Sequence, residues 1–343
     1  MDLKLLLKRG ALVAAANWPV VAIQWAAQTT FKLLLSVPVV GAAVLLATLV
    51  GADLQNAMQG TTREMVESVA VALGAHPVAL ASFLAAVAIV LFGGSVLLFL
   101  VKGGTVQVLL DAHSITGPIE HEAVTAGQMR GAFAFTLERF VEGCARLFRR
   151  YLVLGLLLLI VYGLSTAAYL ALGVVAYRAG GFAIALAALA ALALVLWITA
   201  VNLVYLLMQI AIAAEDVGVM RSAQRVASFV RTERRELGGV FLVVLAMLVA
   251  ATFASALALS GVGLIAFVPI VGLVVVPVQL TVLLLQGLLF EYIGLVALGS
   301  YVTLYRRFAP AMAVAGAPAA LMPPEESDWE AAPPASPQAQ SGG

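Results

Sequence analysis

The stretch IAAEDVGVMRSAQRVASFVRTERREL, residues 212–237, carries five arginines and no lysine. Residues 181–214 before it and 238–262 after it hold no charged side chain. Val219, Ala223, Val226, Ala227 and Val230 recur at helical spacing and predict one apolar stripe. Arg221, Gln224, Arg225, Ser228 and Arg231 line the other side. Glu215 and Asp216 at the start, with Arg234 and Arg235 at the end, suit the helix dipole. The segment therefore reads as an amphipathic helix at a membrane interface, joining two spans.

The composition points the same way. Of 343 residues, 63% are hydrophobic and 11% charged, whereas soluble domains have roughly 45–50% apolar and about 25% charged residues. A core alone cannot absorb that excess, so the chain belongs to an integral membrane protein. Its single cysteine, Cys144, excludes an intramolecular disulfide framework.

A bilayer core about 30 Å thick needs roughly 20 mostly apolar residues per helix. Residues 33–52, 78–101, 151–177, 181–213 and 238–262 meet that need, and 277–304 does so with Glu291 inside it. Strand-like alternation is absent, and lipid admits only helices or closed barrels. The predicted fold is thus an all-α integral membrane bundle of six transmembrane helices, with amphipathic interfacial helices. Residues 1–308 form the membrane domain. Residues 309–343, rich in proline, alanine and small polar side chains, cannot bury a core and read as a disordered cytoplasmic tail.

Charge placement sets the orientation. One side holds Lys4, Lys8 and Arg9; Lys102, Arg130, Arg139, Arg146, Arg149 and Arg150; the five arginines of 221–235; and Arg306 and Arg307. The other holds Arg63 and Arg178, with Lys32 close to the first span. The positive-inside rule then puts both termini in the cytoplasm of a bacterial inner membrane, and an odd number of spans would spoil the asymmetry.

Asn17, Gln24, Gln28 and Lys32 form a polar stripe along 10–31. An interfacial helix anchored by Trp18 and Trp25 fits that stripe, and a long first helix kinked at Pro38 fits nearly as well. A cleaved signal peptide is not expected. Thr61 and Glu64 suggest a capping box in the loop 53–77, and Pro77 suits the first turn of the second span. Phe140, Val141, Cys144, Leu147 and Phe148 share one face of a segment expected to lie along the headgroups before the third span. The fourth span exceeds the bilayer and must tilt, break or project.

The stretch MQIAIAAEDVGVMRSAQRVASFVR resembles the glycerophosphoryl diester phosphodiesterase membrane-domain-like family of bacterial six-helix membrane proteins. There a span ends in an acidic residue and is followed by an amphipathic arginine helix. FLVKGGTVQVL at 99–109 and EYIGLVALGSYVTLYRRF at 291–308 are similar to the exits of its second and sixth spans. The resemblance implies the membrane fold. The family's phosphodiesterase activity resides in a separate barrel needing at least about 200 residues, for which this chain has no room, so the resemblance implies no catalysis.

Among candidate site residues, Glu291 stands first, because a carboxylate inside a span is costly and usually faces the bundle interior. The alternative is a structural hydrogen bond to a neighbouring span. Gly287 and Gly294 keep its face narrow. Asn202 and Gln209 share a helix face, as do Gln279 and Gln286. They would line a polar cavity if those faces meet, although interhelical hydrogen bonding is the commoner role. Arg149, Arg150, Arg221, Arg225, Arg231, Arg234 and Arg235 are candidates for anionic lipid headgroups, each worth about 1 kcal/mol near the surface. Asp111, His113, Glu120, His121 and Glu122 fit no zinc spacing, so no metal or cofactor is expected. Pro269 and Pro277 interrupt 261–277, which suggests either a broken helix or an outer loop dipping into the interface.

The function expected first is a non-enzymatic membrane protein that organises a membrane-protein partner or lipid at the cytoplasmic face. A small-solute or lipid transporter or channel using Glu291 and Asn202 comes second, and an intramembrane enzyme third. No nucleic-acid partner is expected.

Overall fold

The computed structural model describes residues 3–50, 75–116, 125–179, 181–266 and 269–315, with side chains except at 45–50, 176–184, 262–276 and 310–315. The Thr61–Glu64 capping box, the turn at Gly117–Pro118 and the tail beyond 315 lie outside the described residues. Those described form α1 (Leu3–Ala16), α2 (Trp18–Val50), α3 (Pro77–Ile115), α4 (Ala126–Gly131) and α5 (Leu137–Ala179). They continue as α6 (Gly181–Glu215), α7 (Val219–Thr232), α8 (Arg234–Ala266) and α9 (Pro269–Ala315). Contacts divide the chain into residues 1–305, which hold the bundle, and residues 306–343.

Among the described residues, six stretches are long and apolar enough to cross a bilayer: Trp18–Val44, Pro77–Ile115, Leu137–Val175, Ala185–Glu215, Arg234–Gly261 and Pro277–Ala309. The protein is an all-α membrane bundle. Its large apolar side chains are widely exposed along the spans, including Val40, Ile89, Leu164, Leu196, Phe253 and Leu285. Exposure on that scale is stable only where lipid, not water, meets the surface. The tightly packed part lies at the arginine-rich end, where Leu109, Leu147, Tyr151, Ile210, Phe229, Leu304 and Tyr305 are almost wholly buried.

Several expected boundaries shift because helices run on. The segment read as lying along the headgroups is the first third of α5, one helix of 43 residues. It leads directly into the third span, as the sequence suggests. Its buried line is Phe140, Cys144, Leu147, Tyr151 and Leu154, while Val141 is exposed. α3 likewise extends past its span to Ile115, so Asp111 and His113 are helical and not in a loop. α6 neither breaks nor stops at the bilayer's depth. Its 35 residues reach about 52 Å, and its last turns, Ile210 to Ala213, are buried in the packed end. α9 begins at Pro269 and passes through Pro277 unbroken, in place of the expected loop or break. Proline is well placed in a first turn, and Thr281 Oγ1 donates to the Pro277 carbonyl at 2.8 Å.

Residues 10–31 are not one helix. The chain breaks at Asn17, which joins none of the stripe on α2 and is 1% exposed. Its Nδ2 donates to the carbonyls of Val13 at 2.9 Å and Ala132 at 3.0 Å. Its Oδ1 accepts from the amides of Ala134 at 2.9 Å and Phe135 at 3.0 Å. One amide side chain thereby fills its hydrogen-bonding capacity and satisfies the non-helical backbone between α4 and α5. Leu12, Ala16 and Ala132 pack beside it.

Close backbone approaches draw the helices together at this end. A Cβ at Gly104 would sit 2.6 Å from the Phe140 carbonyl, so α3 and α5 cross where only glycine fits. A Cβ at Gly10 would lie 2.5 Å from the Val296 carbonyl, which places α1 directly on α9. Arg9 Nη2 donates to the carbonyls of Thr116 at 2.9 Å and His113 at 3.3 Å, capping the C-terminus of α3 with a cation.

Replacing Asn17 by alanine strands the Ala134 and Phe135 amides in a buried site, so unfolding in detergent should be eased by about 2–4 kcal/mol. Asn17→Asp, which keeps the acceptor but not the donor, should recover part of that loss. An Asn17→Ala protein as stable as the parent would show that this link is dispensable.

Candidate functional site

Five helices surround a cavity of about 350 Å³ inside the bundle. α6 contributes Asn202, Tyr205 and Gln209, and α9 contributes Glu291 and Gly294. α2 adds Gln24 and Gln28, α3 adds Lys102 and Thr105, and α8 closes the wall with Phe241, Val244 and Leu248. Of the intramembrane polar residues singled out in the sequence, Glu291, Asn202 and Gln209 meet here. Gln279 and Gln286 do not, although they share a face. The periodicity is right, but that face of α9 turns away from the cavity.

Two residues change how the site reads. Lys102 counts in the sequence as a loop cation fixing topology, yet it lies within α3 and lines the cavity opposite Glu291. Its ammonium sits over the Tyr205 ring, 5.2 Å from the centroid, a cation–π contact strengthened by exclusion of water. Lys102 and Glu291 feel one another electrostatically. Among the described residues, however, no contact ion pair joins them. Gln24 is the second. Gln24 lines the same cavity as the Glu291 carboxylate, and Lys32 on the same helix lies within electrostatic range of it. Gln24, Gln28 and Lys32 were legible as a stripe; what the stripe faces was not.

Hydrogen-bonding capacity inside the cavity is left over. Among the described residues, Gln24 Oε1 and Gln209 Nε2 are buried without a hydrogen-bond partner. Gln209 itself is 1% exposed. Asn202 Oδ1 accepts from the Tyr162 hydroxyl, and Tyr151 donates to the Gln209 carbonyl at 2.8 Å, so both α6 residues are held by α5. Gly287 touches Trp25 of α2, whereas a Cβ at Gly294 would meet open space. Only the second glycine keeps the cavity clear. Gln286 Oε1 is buried without a partner too, away from the cavity.

The candidate lipid-contacting arginines divide into two groups. Arg225 Nε meets Glu215 Oε2 at 3.2 Å, and Arg150 meets Asp216 Oδ1 at 2.6 Å. Tyr305 donates to the other Glu215 oxygen at 2.6 Å, tying α6, α7 and α9. Arg149, Arg221, Arg231, Arg234 and Arg235 are exposed. α7 is rotated from its expected register. Ser222, Val226 and Phe229 are buried and Ala227 is exposed, because Phe229 stacks edge-on against Tyr305 at 5.3 Å. Asp216 occupies left-handed backbone, φ 53°, at the end of α6, a cap conformation that aspartate tolerates. Cys144 is buried by packing.

Compared with protein-family models, curated proteins and solved structures, the chain gives no match. Fold and site together define a helical, multi-pass membrane protein with a charged cavity between its spans.

Because Lys102 and Glu291 share one low-dielectric space, neutralising either alone should destabilise the protein more than neutralising both. A double-mutant cycle with Lys102→Met and Glu291→Leu should give a coupling of about 1 kcal/mol in thermal unfolding. Additive effects would place the charges in separate environments. At the arginine-rich end, the Arg150 hydrogen bond and charge hold the Asp216 carboxyl below its ordinary value. Its contribution is therefore complete above the unfolded value, about pH 4, and is lost as pH falls through the lower folded value. The melting-temperature gap between the parent and Asp216→Asn should shrink on acidification from pH 6 to pH 3, those settings bracketing an ordinary aspartate at about 4.

Proposed function

We propose that this is a non-catalytic, multi-pass protein of a bacterial inner membrane. It takes a small polar or amphipathic molecule into the Lys102–Glu291 cavity, for transport or for handling within the bilayer. The observation that carries this reading is the meeting of two opposite, unpaired charges with unfilled Gln24 and Gln209 hydrogen-bonding capacity in one cavity. Burying each charge costs several kcal/mol, and a site that only held helices together would close such groups onto one another. Transport through Glu291 and Asn202 thereby gains on the organising role. The positive-inside rule supports a cytoplasmic location for the arginine-rich end and both termini. The five exposed arginines favour contact of that end with anionic headgroups. That contact positions the protein and is secondary to the cavity.

The test is native mass spectrometry of the full chain released from nanodiscs made directly from host membranes. A retained small molecule should be present at one copy per chain. It should be lost from Gly294→Leu, which fills open space, and from Glu291→Gln, with thermal stability of Gly294→Leu unchanged. Equal retention in the parent and both variants would move binding away from the cavity. A stoichiometric protein partner with an empty cavity would restore the organising role to first place.

A further inference from the structure

The walls of the cavity differ in what they offer a guest. Lys102 of α3, with Tyr205 and Gln209 of α6, forms one side. The Lys102 ammonium lies over the Tyr205 ring, and Gln209 follows Tyr205 by one helical turn. The Tyr205 hydroxyl and Gln209 Nε2 are buried without a hydrogen-bond partner, in residues that are 6% and 1% exposed. This side is a set of donors around a cation.

Glu291 of α9 and Gln24 of α2 line the same cavity. α2 runs against α9 here, because Trp25 Nε1 lies 2.9 Å from where a Cβ of Gly287 would sit, one turn before Glu291. Gln24 Oε1 is buried without a partner, which makes this side a set of acceptors around an anion. α8 contributes Phe241, Val244 and Leu248, so a third wall is apolar.

Among the described residues, no contact ion pair joins Lys102 to Glu291. A guest with a single charge answers one wall and leaves the other charge uncompensated in a low dielectric. It also imports net charge, which is costly inside a membrane. Lys32 lies within electrostatic range of Glu291 without lining the cavity, and its charge weighs further against a purely cationic guest. A guest carrying both signs answers both walls and leaves the net charge of the site unchanged. At about 350 Å³ the space is near the lower end of ligand pockets, roughly 300–1,000 Å³, so the guest is small.

Resting on the cavity reading above, we propose that the ligand is a small zwitterion of amino-acid type with a compact apolar side chain. Its carboxylate lies toward Lys102, Gln209 and the Tyr205 hydroxyl. Its ammonium lies toward Glu291 and Gln24 Oε1, and its side chain lies against α8. The ligand thereby completes the charge pairs and hydrogen bonds that the helices leave open.

The test measures binding to the full chain in nanodiscs by calorimetry, with three probes that share one apolar body. Leucine carries both charges, isoamylamine only the ammonium, and isocaproate only the carboxylate. Leucine should bind at one copy per chain and at least about tenfold more tightly than either analogue, the effect expected of one lost charge-assisted contact. Glu291→Gln should erase the preference over isocaproate, and Lys102→Gln the preference over isoamylamine. Gly294→Leu, which alters no charge and should melt with the parent, should remove leucine binding. If either analogue binds as tightly as leucine and Gly294→Leu removes it, the zwitterion assignment falls and the cavity reading stands. Leucine bound equally by the parent and Gly294→Leu would lie outside the cavity and overturn the assignment. If no probe binds, the assignment falls, and the molecule retained from host membranes decides the rest. One lost from Gly294→Leu keeps the cavity reading, and none retained overturns that as well.

Discussion

The hydrogen bonds of Asn17 hold together parts of the chain that sequence separation keeps far apart. A helix break inside a membrane protein is tolerable only when the freed backbone groups find partners. Here a single side chain serves the end of α1 and the link between α4 and α5 together. The break separates α1 from α2, and α1 packs on α9, where Gly10 meets the Val296 carbonyl. It also fixes where α2 begins. Gln24, seven residues and about two turns later, consequently faces Glu291, and Gln28 follows on the same face one turn on. The polar wall of the cavity and the packed end of the bundle thus share one origin.

The packed end and the spans obey different physics. Near the arginines, the core is dense in the manner of a soluble protein, with buried aromatics such as Tyr151, Phe229 and Tyr305 and glycine-mediated crossings. Toward the other end, most described side chains are apolar and exposed, and lipid takes the place of a protein core. Helix association there has no hydrophobic drive, because lipid tails are as apolar as leucine. Hydrogen bonds such as Trp197 to Ser165 at 3.1 Å add to the van der Waals packing between α5 and α6.

Much of this was legible in the sequence. Runs of about 20 apolar residues mark the spans because bilayer thickness demands them, and all six candidate spans overlap the stretches read from hydropathy. Glu291, Asn202 and Gln209 stood out because polar groups in such runs are costly. Lys102 did not, since a cation at the edge of an apolar run looks like any topology-setting charge, and only the glycine crossing at 103–104 draws it inside. The Asn17 contacts span more than a hundred residues and follow from no local pattern. The register of α7 was missed for the opposite reason. Phe229 was outweighed by small apolar neighbours in a count of positions, although one aromatic ring buries more surface than any single alanine or valine.

Continuity of the long helices has a mechanical side. α5 is a single rod of 43 residues, about 64 Å at about 1.5 Å per residue, and it is clamped near one end. Gly143 is pressed against Gln107, and Gly155 lies under the Phe99 ring. Beyond the second clamp its side chains face few protein neighbours. At the far end α5 stops at Ala179 and α6 starts at Gly181, so the two rods are joined there by a single residue. Tyr162 and Ser165 bridge to α6 between that joint and the clamps. The space between α5 and α6 is therefore held from both ends, by the glycine clamps on one side and by the short connection on the other.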